Sequence, residues 1–254
     1  MQPSPFAVRH PGDRWFWIVF LATCWFAIAM GFYPPIKLRF TGHADYPPPW
    51  ILIVHVWSYF GWIALLTLQV ALVESKRTAI HRKLGVLGAV LAVFVTVSGV
   101  SAEVFSQRFY AAQDPENIRF FMIPVAATIM FAAMAFPALV KRRDTPTHKR
   151  LIYLATTAVV AGPYARWWGH SIEQVMGTGF WGTIAKYYTG MELMLLAAVL
   201  YDLLTRGSVH RVFRWGVPFL LLVQVAGSAV WHSDWWPPAG RQLLGIPQVT
   251  APTK

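Results

Sequence analysis

Residues Trp50 to Phe105 read WILIVHVWSYFGWIALLTLQVALVESKRTAIHRKLGVLGAVLAVFVTVSGVSAEVF, and this stretch decides the fold. Two apolar runs, Trp50–Val73 and Leu84–Phe105, flank a short turn that carries Lys76, Arg77, His81, Arg82 and Lys83. A hydrocarbon core about 30 Å thick is crossed by roughly 20 residues rising about 1.5 Å each, so each run is long enough to span a bilayer as a helix. Working outward, five more runs qualify: Trp15–Tyr33, Phe120–Val140, Leu151–Trp168, Ile184–Leu204 and Trp215–Trp231. Seven transmembrane helices are therefore expected. Pro34-Pro35 is expected to stop the first, Pro47-Pro48-Pro49 precedes the second, and Gly177, Gly179 and Gly182 loosen the approach to the sixth.

Composition points the same way. A chain of 254 residues with 56% hydrophobic and 13% charged residues is not that of a soluble cytosolic enzyme. Thirteen Trp, seventeen Phe and nine Tyr supply rings of the kind that settle at the headgroup level. The lone Cys24 excludes an intrachain disulfide, a Cys-based zinc site and an Fe–S cluster built from this chain alone. The net charge of +11 sits in short runs between apolar stretches, so nucleic acid is not the expected partner.

Positive residues in short loops stay in the cytoplasm. The N-terminus and the loops after the second, fourth and sixth runs hold fourteen of the twenty-two Lys and Arg and four of the eleven acids. That asymmetry predicts N-terminus in and C-terminus out, in a bacterial inner membrane whose anionic headgroups are the natural counterions. The first run is too long for a signal-peptide core and is read as a retained anchor. The expected organisation is one transmembrane domain over residues 1–254. An anchor helix and outer loop occupy 1–49, a four-helix core 50–168, and two further helices with an outer tail 169–254.

An internal repeat supports that core. Glu74-Ser75-Lys76-Arg77-Thr78-Ala79-Ile80-His81-Arg82-Lys83-Leu84 and Lys141-Arg142-Arg143-Asp144-Thr145-Pro146-Thr147-His148-Lys149-Arg150-Leu151 both read basic turn, His, two basic residues, Leu, next helix. Superposing His81 on His148 also superposes His55 on Met122, both pairs being 26 residues apart. Helices two to five thus read as a bundle built from one hairpin used twice. Basic turns and interfacial histidines at helix starts are common enough to give the same pattern without a repeat.

The motif His-Arg-Lys-Leu-Gly, with His55, Trp62, Gln69 and Leu72 before it and His-Lys-Arg-Leu opening the fifth helix, resembles an uncharacterised family of bacterial multi-helix membrane proteins. The resemblance covers Trp50 to Trp168 and implies a membrane fold, with no activity attached. The diagonal placing of His55, His81, Met122 and His148 is more loosely similar to transmembrane di-haem cytochromes b. That likeness implies haem b, with His81 and His148 as inner ligands and His55 and Met122 as outer ones. It departs from that pattern in two places: the fourth helix offers Met122 instead of His, and the inner histidines stand at headgroup depth.

Ionisable groups inside a bilayer are costly, so each is a functional candidate until a partner explains it. Near the outer face lie Glu103, Arg166, His170, Tyr188 and Glu192. An ion pair of Arg166 with Glu103 or Glu192 is the bland expectation. The functional alternative is a polar pocket for a proton, a metal or a headgroup such as a quinone ring. His55, Glu103, His170 and Glu192 together offer donors suited to a transition metal. No catalytic set is legible: phosphate-binding loop, nucleophile elbow and His-Glu-x-x-His are all missing from the sequence, and Trp215–Trp231 holds no Lys for a retinal Schiff base. The expected function is membrane electron transfer through b-type haem, linked to a quinone. The competing expectation is a scaffold, an accessory subunit of another membrane protein, or a small-ligand or lipid-binding protein.

Overall fold

The computed structural model describes residues 6, 9–44, 47–111 and 113–248, and among them there is no strand. Asp45 and Lys254, both part of the charge count above, lie outside the described residues. The helices are α1 (Asp13–Phe40), α2 (Trp50–Glu74), α3 (Thr78–Tyr110), α4 (Met122–Val140), α5 (Thr145–Met176), α6 (Phe180–Arg206), α7 (Arg211–Trp231) and the short α8 (Trp236–Leu244). A 3₁₀ turn, Pro115–Phe121, leads into α4. Local chemistry sets several ends. Asp144 caps α5 by accepting the Thr147 N–H, and His210 caps α7 through Nδ1, which accepts the Val212 N–H at 3.2 Å. Gly177 and Gly207, at φ 75° and 65°, stop α5 and α6 in a backbone region closed to most side chains.

Six helices are long and apolar enough to cross a membrane: α1, α2, α3, α4 with part of its 3₁₀ turn, α6 and α7. Apart from the short α8, the helix outside that set is α5, which the sequence placed as the fifth of seven spans. Its Thr156, Thr157, Gly162, Pro163 and Arg166 dilute its hydropathy, and its surroundings explain why that is tolerated. It packs against α1, α4, α6 and α7, and Tyr153 to Ala161 are all buried. A helix sheathed by protein satisfies its polar groups internally. Thr156 accepts the Trp62 indole N–H at 3.2 Å from α2, and the Tyr153 hydroxyl donates to the Met194 carbonyl of α6 at 2.9 Å. In contrast, α3 leaves Val86, Val90, Val93, Phe94 and Val97 exposed, the outward stripe that acyl chains would cover.

The first helix does not end at Pro34-Pro35. It continues to Phe40 with both prolines inside it. Farther back, α1 approaches α5 so closely that a Cβ at Gly31 would collide with the Pro163 carbonyl.

The repeat is visible in helix registers: His81 and His148 are each the fourth residue of their helices, each helix opening on Thr. Consecutive helices α2 to α5 pack pairwise, yet the largest interface of α5 is with α6.

The two ends of the molecule differ. At the end bearing the α2–α3, α4–α5 and α6–α7 turns, ion pairs clamp α1, α5 and α6 together. Asp13 takes Lys149 at 2.8 Å, Arg206 at 3.0 Å and the Tyr201 hydroxyl at 2.8 Å. The buried Asp202 receives a two-pronged contact from Arg150. The opposite end is capped by α8 folded onto the 3₁₀ turn, where the Trp236 indole donates to the Ile118 carbonyl at 3.0 Å. Trp236 is thereby buried, whereas its neighbour Trp235 stays exposed. Arg119 ties this cap to α7 through the carbonyls of Trp231 and Ser233.

Candidate functional site

The strongest candidate lies near the capped end of the bundle, around Arg166. This residue follows the Gly162-Pro163 step of α5, and a Cβ at Gly162 would come within 3.1 Å of its Nη1. The guanidinium stands 5.1 Å over the Phe32 ring of α1. It is exposed, yet His55 of α2, Glu103 of α3 and Tyr187 of α6 all lie within its electrostatic reach. The exposed guanidinium is thus faced by side chains of four other helices, and the space among them is the candidate cleft. Neither expected ion pair forms: among the described residues Arg166 has no hydrogen bond and no salt bridge. Its guanidinium rests instead on the Phe32 face.

The walls of the cleft carry further unspent polarity. His55 lies against Tyr59 at a ring separation of 4.3 Å and hydrogen-bonds to the Ser98 backbone, while its Nδ1 is buried without a partner. A histidine whose Nε2–H goes to a carbonyl holds a free lone pair on Nδ1, so the unsatisfied atom is an acceptor. The Ser98 hydroxyl is buried and also unpartnered. Beside it, Gly99 leaves room for Tyr59 and Thr128 to meet, since a Cβ there would fall 2.6 Å and 2.8 Å from their hydroxyl oxygens. Glu103 is buried and held by the Gln107 amide at 2.7 Å, which in turn is held by Asn117. The cleft thus presents one free cationic donor and one free neutral acceptor.

Of the four candidate metal donors, His55 and Glu103 border this cleft and the other two do not. His170 is 82% exposed and turned to Gln174 and Glu173, the latter paired with Lys186 at 2.7 Å. Glu192 faces α7, where Gln224 holds its carboxylate. Among the described residues no three His, Cys, Asp or Glu side chains gather closely enough to hold a metal ion.

The four candidate haem ligands divide likewise. His81 and His148 lie within electrostatic reach of each other at the basic end. The His148 Nδ1 is 2.8 Å from the Ala138 carbonyl, which fixes its tautomer and leaves Nε2 free; the His81 Nδ1 is buried without a partner. At the other end, Met122 packs with Ile118, Phe121 and Trp236 beneath the α8 cap, whereas His55 packs on Tyr59. The structure brings the first pair near one another and gives the second pair different neighbours.

Two features escaped the reading of the sequence. The Asp13–Lys149–Arg206 and Arg150–Asp202 clamp joins positions that read separately as basic turns and helix ends. Gln224 carries no charge and drew no notice, although it is the partner of Glu192. No family model, no curated protein and no solved structure matches this chain.

Proposed function

We propose that the chain is a seven-crossing inner-membrane protein, N-terminus in, that binds the head of a quinol-like ligand in the Arg166 cleft. In this arrangement α5 is the seventh crossing, sheathed by its neighbours, and helices two to five are the repeat-built core. The basic end faces the cytoplasm, as the charge asymmetry of the loops suggests. The observation that carries the reading is an uncommitted guanidinium and an uncommitted imidazole acceptor within electrostatic reach of each other. A quinol head offers both complements: an oxygen that accepts from Arg166, and a hydroxyl that donates to His55 Nδ1. His55 Nδ1 is buried without a partner, which is costly, so a ligand that donates to it while accepting from Arg166 gains affinity from both.

Binding of a short-chain quinol to protein in detergent, followed by quenching of Trp167 and Trp168, tests the reading. Arg166→Leu should weaken binding at least about tenfold, the loss expected of a hydrogen bond to a charged group. Equal affinity of the variant and the parent would refute it.

The His81–His148 proximity favours a second reading, one haem b near the basic end. The two imidazoles would be its axial ligands, and the group would supply one-electron transfer to or from a quinol. A reduced-minus-oxidised spectrum with b-type bands, lost in His148→Ala, is the expected result; colourless protein from haem-replete cells would end this reading.

A further inference from the structure

A second polar site, separate from the Arg166 cleft and independent of its ligand, lies in the interface of α6 with α7. Tyr188 and Glu192 stand one turn apart on α6. Gln224 and Gly227 stand one turn apart on the facing side of α7, and the Tyr188 hydroxyl is 4.0 Å from where a Gly227 Cβ would be. Tyr188 and Gln224 are each 1% exposed. Three side-chain oxygens here are buried without a hydrogen-bond partner: the Tyr188 hydroxyl, Gln224 Oε1 and Glu192 Oε1. The Gln224 amide nitrogen is already spent on the Glu192 carboxylate and the Met191 sulfur, the latter at 3.6 Å. Its carbonyl oxygen has no hydrogen-bond donor.

A carboxylate oxygen on α6, an amide oxygen on α7 and a phenol oxygen one helical turn away, each without a partner, are donors of the kind a hard cation takes. Among the described residues no Lys or Arg is paired with Glu192. Gln224 is the side chain of α7 on the Glu192 carboxylate, and α5 sets Tyr164 against Gly190 and Tyr153 against the Met194 carbonyl. Arg211 and Arg214 lie at the start of α7, ten or more residues from Gln224. On α6 itself Lys186 is committed to Glu173. A carboxylate in such a setting is neutralised from outside or pays the cost of a lone buried charge.

We propose that Glu192, Gln224 and Tyr188 form a binding site for one monovalent cation, taken up as Na⁺ or as a proton. The carboxylate supplies the countercharge, and the amide carbonyl and phenol oxygens replace water around the ion.

The test is thermal unfolding of the purified full-length protein and of Glu192→Gln, which is neutral but nearly isosteric. One arm titrates Na⁺ against choline at alkaline pH; the other titrates pH between about 9 and 5 without Na⁺. Stabilisation of the parent by Na⁺, absent in Glu192→Gln, identifies Na⁺. Stabilisation by acid alone, absent in Glu192→Gln, identifies the proton. Tyr188→Phe and Gln224→Leu should weaken a Na⁺ response about tenfold each while leaving a proton response to Glu192. Identical behaviour of parent and Glu192→Gln in both arms overturns the proposal. Should Glu192→Gln fail to fold, infrared difference spectra of the parent decide instead. A protonated-carboxyl band that neither Na⁺ nor pH changes, with no ²²Na⁺ bound, overturns it equally.

Discussion

Replacing Asp202 by Ala should be among the most damaging single changes in this chain. Its carboxylate takes Arg150 Nε at 2.9 Å, Arg150 Nη2 and the His210 N–H at 3.1 Å, with Arg206 Nη1 3.9 Å away. The Arg150 and Arg206 side chains are only 5% and 3% exposed. Removing the anion strands two buried guanidinium groups, of which only Arg206 keeps a carboxylate, Asp13 at 3.0 Å. Breaking a buried pair from one side costs about 3–5 kcal/mol, whereas replacing both partners with apolar groups is often close to neutral. For a chain of this size that corresponds to a fall of about 6–20 °C in Tm. Cys24 provides the assay: it is the sole cysteine and fully buried, so a thiol-reactive fluorophore reports unfolding directly. The expected order is Asp202→Ala least stable, Arg150→Met intermediate, and Arg150→Met with Asp202→Leu closest to the parent. A double variant as unstable as the sum of the singles would refute the reasoning, because the loss would then come from packing and not from uncompensated charge.

Further outcomes follow from other contacts. Burial beside Arg150 depresses the His210 pKa from 6.5 to about 4, in keeping with a neutral ring that accepts the Val212 N–H; stability should therefore fall as pH drops from about 6.5 towards 4, and His210→Asn, which still caps, should flatten that dependence in thermal melts. Gly31→Ala should cost about 1–3 kcal/mol in the same melts, because a methyl there pushes α1 off the Pro163 carbonyl. Trp62→Phe removes the indole donation to Thr156 and should cost about 1 kcal/mol, Thr156 keeping its own bond to Ile152. Reporter fusions after Arg143 and after Gln248 should read cytoplasmic and periplasmic respectively; the reverse would invert the proposed topology.

How far the letters carried is best seen helix by helix. The runs Trp50–Val73 and Leu84–Phe105 were legible because each is a nearly unbroken apolar segment bounded by charge, and α2 and α3 occupy those positions with longer ends. The prolines misled at α1 because the helix runs on to Phe40 although Pro34 and Pro35 each lack an N–H donor. The fifth run was legible as a helix, but its polar content makes sense only once α1, α4, α6 and α7 surround it, a tertiary fact with no local signature. Arg166 was recognisable from the cost of a charge at that depth. That it would remain unpaired was not, since its expected partners Glu103 and Glu192 are drawn aside by Gln107 and Gln224. Neutral amides that redirect carboxylates leave no mark in a count of charges. The Asp13 clamp spans separations of 136 and 193 residues, which no spacing rule reaches.

The central claim is that Arg166 and His55 together hold the head of a lipid-soluble quinol. Mass spectrometry of the small molecules retained by full-length protein gently extracted from membranes tests it most directly. The expected result is a quinone present in stoichiometric proportion in the parent and depleted in both Arg166→Leu and His55→Phe. Parent and variants carrying the same lipids in the same amounts, with no quinone in any of them, would contradict it.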